Sequence, residues 1–327
     1  MYRVLITLYE KFGRFSNGRE ILKKAGCEII ESPYPHPVEE EDLLKIIKEI
    51  DAIVTGDDKL TAKVIEAADK LKIIAKYGVG IDRVDIKAAT DRGIPITLAP
   101  ALSNAVADFT FGVMFVLARG ICDASALVKN GEWGKSFGFG WGRSFMGVEL
   151  WQKTLGIIGA GRIGREVIRR AKGFQMKVLA YDIYRDERIA QQLGFEYTSL
   201  ERVLREADFV SINVPLTDET KNLINEGKLS LMKPSAYLIN TARGQVVDEK
   251  ALYFALKEKK IAGAALDVFT REPLPSDSPW LSLGNVILTP HIAADTKEAA
   301  GGMDLICAEN IIRVLRGEKP LYAVNLS

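Results

Sequence analysis

The sequence GAGRIG at residues 159–164 constrains the fold more than any other feature of this chain. It fits the pattern G-x-G-x-x-G and follows an apolar run at 154–158. After it, Ile163, Val167 and Ile168 recur at helical spacing, with arginines between them. The apolar run is typical of a buried parallel strand, and the later spacing predicts an amphipathic helix. The motif therefore predicts a strand, a tight glycine turn and a helix.

Each glycine in this turn has a physical reason to be there. Gly159 permits the tight turn, Gly161 lets an anion approach the backbone, and Gly164 allows helix and strand to pack closely. N–H groups at the start of the helix then bind phosphate oxygens. Asp182 ends the next predicted strand, 18 residues after Gly164, where a carboxylate accepts bonds from ribose hydroxyls. The pattern predicts a dinucleotide site; a purely structural glycine turn is the alternative.

The same aspartate bears on cofactor choice. Asp182 would repel a 2′-phosphate, and the next residues, Ile183 and Tyr184, offer no cation. We therefore expect NAD rather than NADP, with Arg185 as the one nearby residue that could favour NADP.

Length, charge and cysteine content limit the remaining possibilities. The 327 residues suit two domains, and a net charge of +1 gives no global field for nucleic acid or an anionic membrane. The longest apolar stretch, at 109–118, is too short to span a bilayer. The three cysteines, Cys27, Cys122 and Cys307, have no metal-site spacing, so we expect buried thiols and no metal. Because the N-terminus runs directly into a predicted strand, we expect a cytoplasmic protein.

Strands and helices alternate along both halves of the chain. Apolar runs predict strands at 3–7, 28–31, 52–55, 73–76 and 94–97, and later at 177–181, 209–214, 236–240, 263–267 and 286–289. Helical patterns lie between most of them, and a last helix is expected at 296–315. This alternation is typical of α/β proteins with parallel sheets.

The segment between the two halves has a different pattern. Ser103 or Asn104 is suited to cap a long helix running toward Lys129, and its apolar positions nearly surround it, which predicts a buried helix. Residues 130–151 then carry seven large apolar side chains without a helical or strand period. Such a loop exceeds what a monomer usually leaves exposed, so we expect a homodimer formed through residues 109–118 and 130–151.

Ionisable side chains follow several predicted strands of the second half. Arg243 follows the strand at 236–240, Glu272 follows the strand at 263–267, and His291 follows the strand at 286–289. Hydride transfer to a carbonyl requires a proton donor near neutral pH, which suits imidazole. A neighbouring carboxylate raises the pKa of the imidazole, and a guanidinium binds a carboxylate substrate. Taken singly, a structural histidine and an arginine paired with an acid are strong alternatives.

A second glycine loop follows a strand of the first half. The sequence YGVGID begins at Tyr77 directly after the predicted strand at 73–76. Its glycines would leave N–H groups exposed at the carboxyl edge of a parallel sheet, where ligands bind. A tight connection into the next helix explains the same glycines equally well. The other histidine, His36, lies in a proline-rich stretch that predicts a surface loop.

At this point the motifs match a known family. The sequence resembles the D-isomer-specific 2-hydroxyacid dehydrogenases over essentially its whole length, and particularly their short-form phosphoglycerate dehydrogenases. The matching stretches are YGVGIDRVD, GAGRIG, NTARG, LDVFTREPL and LTPHIA. The resemblance implies an α/β fold of two doubly wound parallel-sheet domains, with a Rossmann cofactor domain at 101–291 inserted into a flavodoxin-like substrate domain at 1–100 and 292–327.

The resemblance also implies a role for each matching residue. It makes Arg243, Glu272 and His291 the catalytic set, with Val79 and Gly80 offering N–H groups to the substrate carboxylate. The implied contacts with NAD are those of Gly159, Gly161, Arg162, Ile163 and Gly164 with pyrophosphate, Asp182 with ribose, Thr241 and Ala242 with the nicotinamide half, and Asp267 with the carboxamide.

The expected activity is hydride transfer between NAD and a small 2-hydroxy acid, with 3-phosphoglycerate as the first candidate. Lys76 stands where the family often has arginine and would bind the substrate phosphate; pairing with a surface acid is the alternative. Ala293 and Ala294 replace a common glycine pair near the nicotinamide. The second candidate is a glyoxylate or hydroxypyruvate reductase. A third, of another class, is a cofactor-sensing protein like the corepressors that share this fold.

Overall fold

A computed structural model describes residues 1–133 and 145–326, and it divides the chain into two compact units. The first unit comprises Met1–Ser103 and Ala294–Ser327, and the second comprises Asn104–Ala293. The sequence-based expectation put the two crossings at 100/101 and 291/292. Elements are numbered below along the whole chain.

The first unit is built on a five-stranded parallel sheet. Its strands are β1 (Tyr2–Ile6), β2 (Cys27–Glu31), β3 (Ala52–Thr55), β4 (Ile73–Lys76) and β5 (Ile96–Thr97). Its helices are α1 (Gly18–Lys24), α2 (Glu40–Ile46), α3 (Ala62–Ala67), α4 (Ile86–Asp91) and α12 (Lys297–Leu315). The strand order β2-β1-β3-β4-β5 is that of a flavodoxin-like sheet, as predicted. Strands β3 and β4 are wholly buried because helices cover both faces.

The last residues of the chain protect the exposed edge of this sheet. Ala323 bridges Thr97 of β5 in antiparallel fashion. Asn325 then accepts a hydrogen bond from the Ile96 N–H at 2.8 Å and donates one to the Ile94 carbonyl at 2.9 Å. Edge strands present unpaired backbone groups, and this tail satisfies part of the β5 edge.

A buried carboxylate lies beneath the carboxyl edge of the same sheet. Asp58 has no exposed surface. Five groups donate to it or share a proton with it: Thr7 Oγ1, Thr55 Oγ1 at 2.7 Å, the N–H of Val38 at 2.6 Å, the N–H of Gly56 at 3.2 Å and Nδ1 of His36 at 3.1 Å. Burial alone would raise the pKa of this carboxyl, but the His36 ring and the donors outweigh it and hold the pKa below its usual range. His36 lies in a loop, as predicted, and holds that loop against the sheet.

The second unit contains a seven-stranded parallel sheet. Its strands are β6 (Thr154–Ile158), β7 (Lys177–Tyr181), β8 (Glu196–Tyr197), β9 (Phe209–Ile212), β10 (Tyr237–Asn240), β11 (Gly263–Leu266) and β12 (Val286–Leu288). The strand order is β12-β11-β10-β9-β6-β7-β8. From the adjacent pair β6 and β9, later strands are added outward on one side and β7 and β8 on the other, as in a Rossmann sheet. Alternate residues serve two cores: Ile157 packs on one face and Ile158 on the other. The predicted fold class is confirmed.

Seven α-helices of this part of the chain lie within the described residues. They are α5 (Ser103–Arg119), α6 (Ile121–Lys129), α7 (Arg162–Gly173), α8 (Glu187–Leu193), α9 (Leu200–Glu206), α10 (Glu226–Leu229) and α11 (Glu249–Lys257). Short 3₁₀ helices occur at Gly244–Val246 and Pro279–Ser282. Helix α8 and strand β8 were not predicted from the sequence, because both are short and mostly exposed and therefore carry a weak apolar pattern.

The prediction of one long buried helix from Ser103 toward Lys129 is wrong beyond Gly120. Gly120 adopts a left-handed conformation at φ 57°, which ends α5, and α6 starts at an angle of 65° to it. Helix α5 is largely buried, but α6 has no buried residue, so the predicted burial holds for α5 only. No single helix among residues 1–133 and 145–326 is long and apolar enough to cross a membrane; α5 and α6 meet that test only as a bent pair.

The loop at 130–151 is described only at its two ends. Phe137, Phe139 and Trp141, on which part of the homodimer expectation depends, lie outside the described residues. Trp133 is 73% exposed, and Met146 is 74% exposed. All three cysteines are free thiols; Cys27 and Cys307 are buried as expected, whereas Cys122 is exposed on α6.

The Asp58 network generates a test of stability. Asp58→Asn removes the charge that its donors surround, and we expect unfolding to become easier by roughly 3 kcal/mol at pH 7. A carboxyl whose folded pKa is lowered contributes stability above its unfolded pKa and loses it as pH falls through the folded value. The difference between variant and wild type, measured by urea denaturation, should therefore be full above about pH 4 and shrink below it.

Asp69→Asn is the matched control, because Asp69 is exposed in the same unit. It should change the unfolding free energy by less than about 0.5 kcal/mol. An Asp58→Asn loss that stays constant down to pH 2 would contradict the role given to the carboxylate.

Candidate active site

In the glycine turn of the second unit, two of the three motif glycines have no room for a side chain and the third faces open space. Gly159 has φ 92°, and a Cβ there would lie 2.7 Å from the Asn213 carbonyl oxygen. A Cβ on Gly164 would overlap the Gly159 carbonyl, so this glycine brings α7 onto β6. A Cβ on Gly161 would meet no atom within 4 Å, and its backbone is not left-handed. Packing therefore accounts for Gly159 and Gly164, whereas the space above Gly161 is left for something else.

Helix α7 begins directly at this open space. Arg162 and Ile163 are its first two residues, and Gly161 occupies its N-cap position without a side chain. Val167, Ile168 and Ala171 are buried beneath it, as the apolar spacing predicted. A helix N-terminus with exposed N–H groups and no capping side chain is a site for anionic groups.

Asp182 lies at the end of β7 and already contacts the glycine turn. Its Oδ2 accepts a hydrogen bond from the Ala160 N–H at 2.7 Å, and its Oδ1 accepts one from the Tyr184 N–H at 2.8 Å. Each carboxylate oxygen has a second lone pair, so these bonds leave capacity for hydroxyl donors. Arg185 donates to the Thr198 carbonyl at 3.3 Å.

The loop after β10 carries Arg243 and is held by a side chain from the strand itself. Asn240 is 1% exposed; its Oδ1 accepts from the Ala242 N–H at 3.0 Å, and its Nδ2 donates to the Arg243 carbonyl at 2.9 Å. The guanidinium of Arg243 donates to the Ala242 carbonyl at 2.9 Å. The hydroxyl of Thr241 is buried and has no hydrogen-bond partner among the described residues.

Glu272 and His291 form a hydrogen-bonded pair. Glu272 Oε2 lies 2.9 Å from His291 Nδ1, and Glu272 Oε1 accepts from the Phe269 N–H at 2.8 Å. About a third of each side chain is exposed, so a substrate has access to the pair. Pairing through Nδ1 fixes the tautomer and makes Nε2 the atom suited to exchange a proton with a substrate.

The backbone of His291 has the unusual conformation φ 54°, and Asp267 holds it there. The Asp267 carboxylate accepts hydrogen bonds from Thr289 Oγ1 at 2.6 Å, from the Ile292 N–H at 2.9 Å and from the Ala293 N–H at 2.8 Å. The Asp267 carbonyl accepts from the His291 N–H at 2.8 Å. Burial raises the pKa of the Asp267 carboxyl, and its three donors oppose that rise.

The glycine loop of the first unit offers N–H groups to a ligand. Gly78 has φ 122°, and its carbonyl accepts a hydrogen bond from the Ala99 N–H at 2.9 Å. The N–H groups of Val79 and Gly80 have no acceptor among the described residues, and both residues are partly exposed. Exposed donors at the carboxyl edge of a parallel sheet are suited to an anionic ligand.

Lys76 has partners within its own unit. The residue is 4% exposed, and its ammonium donates to the Gly56 carbonyl and lies 3.2 Å from an Asp57 carboxylate oxygen. This is the ion pair that the sequence analysis kept as the alternative to a phosphate site.

Comparisons with known proteins identify the family. Residues 111–293 match the model of the family described as D-isomer specific 2-hydroxyacid dehydrogenase, NAD binding domain. The chain is 47% identical over 292 residues to a glyoxylate reductase of Korarchaeum cryptofilum, covering 88% of this chain and 87% of the relative. Six further glyoxylate reductases are 44–48% identical. The chain belongs to the D-isomer specific 2-hydroxyacid dehydrogenases.

Two other relatives bear on substrate and cofactor. A D-3-phosphoglycerate dehydrogenase of Methanocaldococcus jannaschii is 46% identical over 289 residues, covering 88% of this chain but 54% of that longer protein. The crystal structure of a D-lactate dehydrogenase from Aquifex aeolicus, complexed with NAD and lactic acid, has a TM-score of 0.83 at 32% identity and covers 97% of this chain and 96% of that one.

The dehydrogenase is therefore an NAD-dependent oxidoreductase acting on a small hydroxy or keto acid, and its residues fit the cofactor. The open space over Gly161 and the N-terminus of α7 suit pyrophosphate, and Asp182 suits ribose. The buried hydroxyl of Thr241 is a polar group that a bound molecule would satisfy.

Several residues that shape this site were missed from the sequence. Asn240 holds the loop of Arg243, and Gly244, Gln245 and Glu249 contact the loop of Glu272. Asn240 and Gly244 belong to the motif NTARG. The sequence does not indicate that the Asn240 amide bonds the following loop, or that Gly244 allows two loops to approach, because both depend on the path of the backbone.

A substitution at His291 tests the proton donor. His291→Asn is preferable to alanine because asparagine tolerates the left-handed backbone at this position. We expect kcat to fall by about 10²–10⁴-fold while the dissociation constant for NADH, measured by fluorescence titration, stays within about threefold. A variant with near-normal kcat would show that another group supplies the proton.

A substitution at Glu272 tests the pairing with His291. Glu272→Gln keeps the shape but removes the charge that favours imidazolium. In the oxidation direction, where neutral imidazole accepts the proton, the acid limb of the pH–rate profile should move to lower pH. In the reduction direction the alkaline limb should move the same way, and profiles that stay in place would exclude the pairing as a catalytic feature.

Proposed function

We propose that this dehydrogenase reduces small, unphosphorylated 2-keto acids, glyoxylate or hydroxypyruvate, with NADH. The observation that carries the chemistry is the hydrogen-bonded pair of Glu272 and His291, held by Asp267 at the end of a parallel sheet. The glyoxylate reductases at 44–48% identity support the substrate class. This order reverses the sequence-based one, in which 3-phosphoglycerate came first.

The proposed roles follow from the chemistry of each group. NADH supplies the hydride when it is bound. His291 Nε2 donates the proton that turns the substrate carbonyl oxygen into a hydroxyl, and Glu272 stabilises the imidazolium before the transfer. Arg243 polarises the same carbonyl with its guanidinium. The N–H groups of Val79 and Gly80 bind the substrate carboxylate, and in the oxidation direction each step runs in reverse.

The surroundings of Lys76 support the unphosphorylated substrate. Its ammonium is enclosed, donates to the Gly56 carbonyl and pairs with Asp57. A substrate phosphate would have to draw the ammonium away from a carboxylate that already compensates its charge. 3-Phosphohydroxypyruvate remains the second candidate because of the relative from Methanocaldococcus jannaschii, and Lys76 is the phosphate-binding residue under that candidate.

A panel of three keto acids decides between these candidates. For glyoxylate, hydroxypyruvate and 3-phosphohydroxypyruvate with NADH, we expect wild-type kcat/KM to favour one of the unphosphorylated acids by about tenfold or more. Lys76→Met should change kcat/KM for all three by a similar factor, because it removes an internal ion pair. A selective loss of about 10–150-fold on 3-phosphohydroxypyruvate would instead assign Lys76 to the phosphate, since that is the range for a hydrogen bond to a charged group.

We also propose that the enzyme is a cytoplasmic homodimer, with three thiols that suit a reducing compartment. The support for the dimer is a set of exposed apolar side chains on α6 and at the end of the loop at 130–151. Ile121 is 47% exposed, Val128 is 51% exposed and Trp151 is 51% exposed. Trp151 also lines a cleft of about 290 Å³ with Phe115. Large apolar side chains left exposed on neighbouring elements are typical of surfaces that bind another protein chain.

Charged substitutions on α6 test the dimer. Ile121 and Val128 are seven residues apart and lie on one face of α6, so Ile121→Glu with Val128→Glu should convert a dimer into a monomer in sedimentation velocity at about 10 μM. Leu281→Glu is the matched control, since Leu281 is 58% exposed elsewhere in the same unit. A wild-type monomer at this concentration would refute the proposal.

A further inference from the structure

We propose that Glu249, together with Gln245, is a positioning residue that holds the loop at 269–272 so that Glu272 meets His291. The proposal rests on the catalytic roles of Glu272 and His291 put forward above. Glu249 and Gln245 bond the backbone of Thr270 and act on the catalytic pair through it.

The loop after β11 is held by two side-chain hydrogen bonds to the backbone of one residue, Thr270. The Thr270 N–H donates to Glu249 Oε1 at 2.6 Å. The Thr270 carbonyl accepts a hydrogen bond from Gln245 Nε2 at 3.3 Å. Thr270 itself is exposed, so without these bonds its peptide groups would be hydrated and free to turn.

Gly244 makes these two hydrogen bonds possible because it allows two loops to approach closely. A Cβ at position 244 would overlap the backbone of Phe269 and Thr270. The loop of Arg243 and the loop of Glu272 therefore touch through backbone atoms at this point. Gln245 and Glu249, which follow Gly244 along the chain, are thereby within reach of Thr270.

Phe269 connects the Thr270 backbone to the catalytic pair. Phe269 lies directly before Thr270, and its N–H donates to Glu272 Oε1 at 2.8 Å. The other oxygen of Glu272 pairs with His291 Nδ1 at 2.9 Å. If the Thr270 backbone rotates, the Phe269 donor moves and the carboxylate loses the bond that directs its second oxygen to the imidazole.

Helix α11, which carries Glu249, is capped and anchored by other side chains. Asp248 caps the helix by accepting from the Ala251 N–H at 3.0 Å, and Leu252, Ala255 and Leu256 anchor the helix in the core. Glu249 is the first residue of α11, and its carboxylate bonds outward to the Thr270 backbone. The bond therefore ties the exposed loop to a helix that other residues anchor in the core.

Two substitutions separate the hydrogen bond from the charge. Glu249→Ala removes the acceptor, and we expect kcat to fall roughly tenfold with KM for NADH unchanged, since a bond to a charged acceptor is lost. The acid limb of the oxidation profile should move to lower pH, in the direction expected for Glu272→Gln but by less. Glu249→Gln retains an acceptor oxygen and should recover most of kcat and the wild-type profile.

Glu226→Ala is the control variant, because Glu226 is exposed and likewise begins a helix behind a capping side chain, that of Asn225. It should leave kcat and the pH profile unchanged. Thermal unfolding of all variants shows whether a loss of kcat reflects loss of folded protein.

The outcomes distinguish this proposal from the catalytic assignment on which it rests. If Glu272→Gln shifts the profile and Glu249→Ala leaves both kcat and the profile as in wild type, the positioning role is refuted and the catalytic pair stands. Equal losses in Glu249→Ala and Glu249→Gln would also refute it, because the acceptor would then not matter. If Glu272→Gln itself leaves the profile in place, the catalytic assignment fails first.

Discussion

The hydrogen bonds to Asp267 are the interaction on which the candidate catalytic arrangement depends. This carboxylate lies at the end of β11 and is 2% exposed, so each bond to it forms in a poorly hydrated environment. The carboxylate and the backbone carbonyl of Asp267 bond four of the five residues at 289–293, all except the proline, and hold His291 in a left-handed conformation. Backbone strain of this kind persists only where the surroundings enforce it. The position of the imidazole is thus set by a residue that belongs to a different strand.

Close contacts between backbone segments, which only glycine permits, also shape the site. Gly159, Gly164 and Gly244 each lie where a Cβ would strike backbone atoms, and at each of them two chain segments touch. Gly161 belongs to the same motif as the first two but faces open space. Glycine thus serves two purposes within a few residues, and only the one at Gly161 points to a ligand.

The sequence predicted the parts of the fold that depend on local pattern. The apolar runs located the strands because buried parallel strands are nearly continuously apolar, and Ile163, Val167 and Ile168 identified the inner face of α7. The break at Gly120 was missed because a glycine inside an apolar helical pattern is compatible with both a continuous and a bent helix. Cys122 was expected to be buried with the other two cysteines because free thiols are usually buried, but it lies on α6, which has no buried residue.

The candidate site was predictable in its residue types but not in its supports. Arg243, Glu272 and His291 stood out because ionisable residues at strand ends meet at one edge of a parallel sheet. Which backbone groups Asn240 and Glu249 would bond depends on loop paths that no periodicity records. The partners of Lys76 show the same limit, because Asp57 and Gly56 are about 20 residues away along the chain.

The bonds made by Asp182 have a consequence for attempts to redesign this enzyme. The carboxylate that would discriminate between cofactors also fastens the Ala160 N–H of the glycine turn and the Tyr184 N–H beyond β7. Exchanging it for a neutral or cationic residue would therefore remove two things at once: the charge expected to repel a 2′-phosphate and the acceptor that holds the Ala160 N–H. Unless the incoming side chain supplied an acceptor for the Ala160 N–H, the glycine turn would lose one of the bonds that fix it. In this protein one side chain thus fixes the shape of the glycine turn and carries the charge expected to govern cofactor preference.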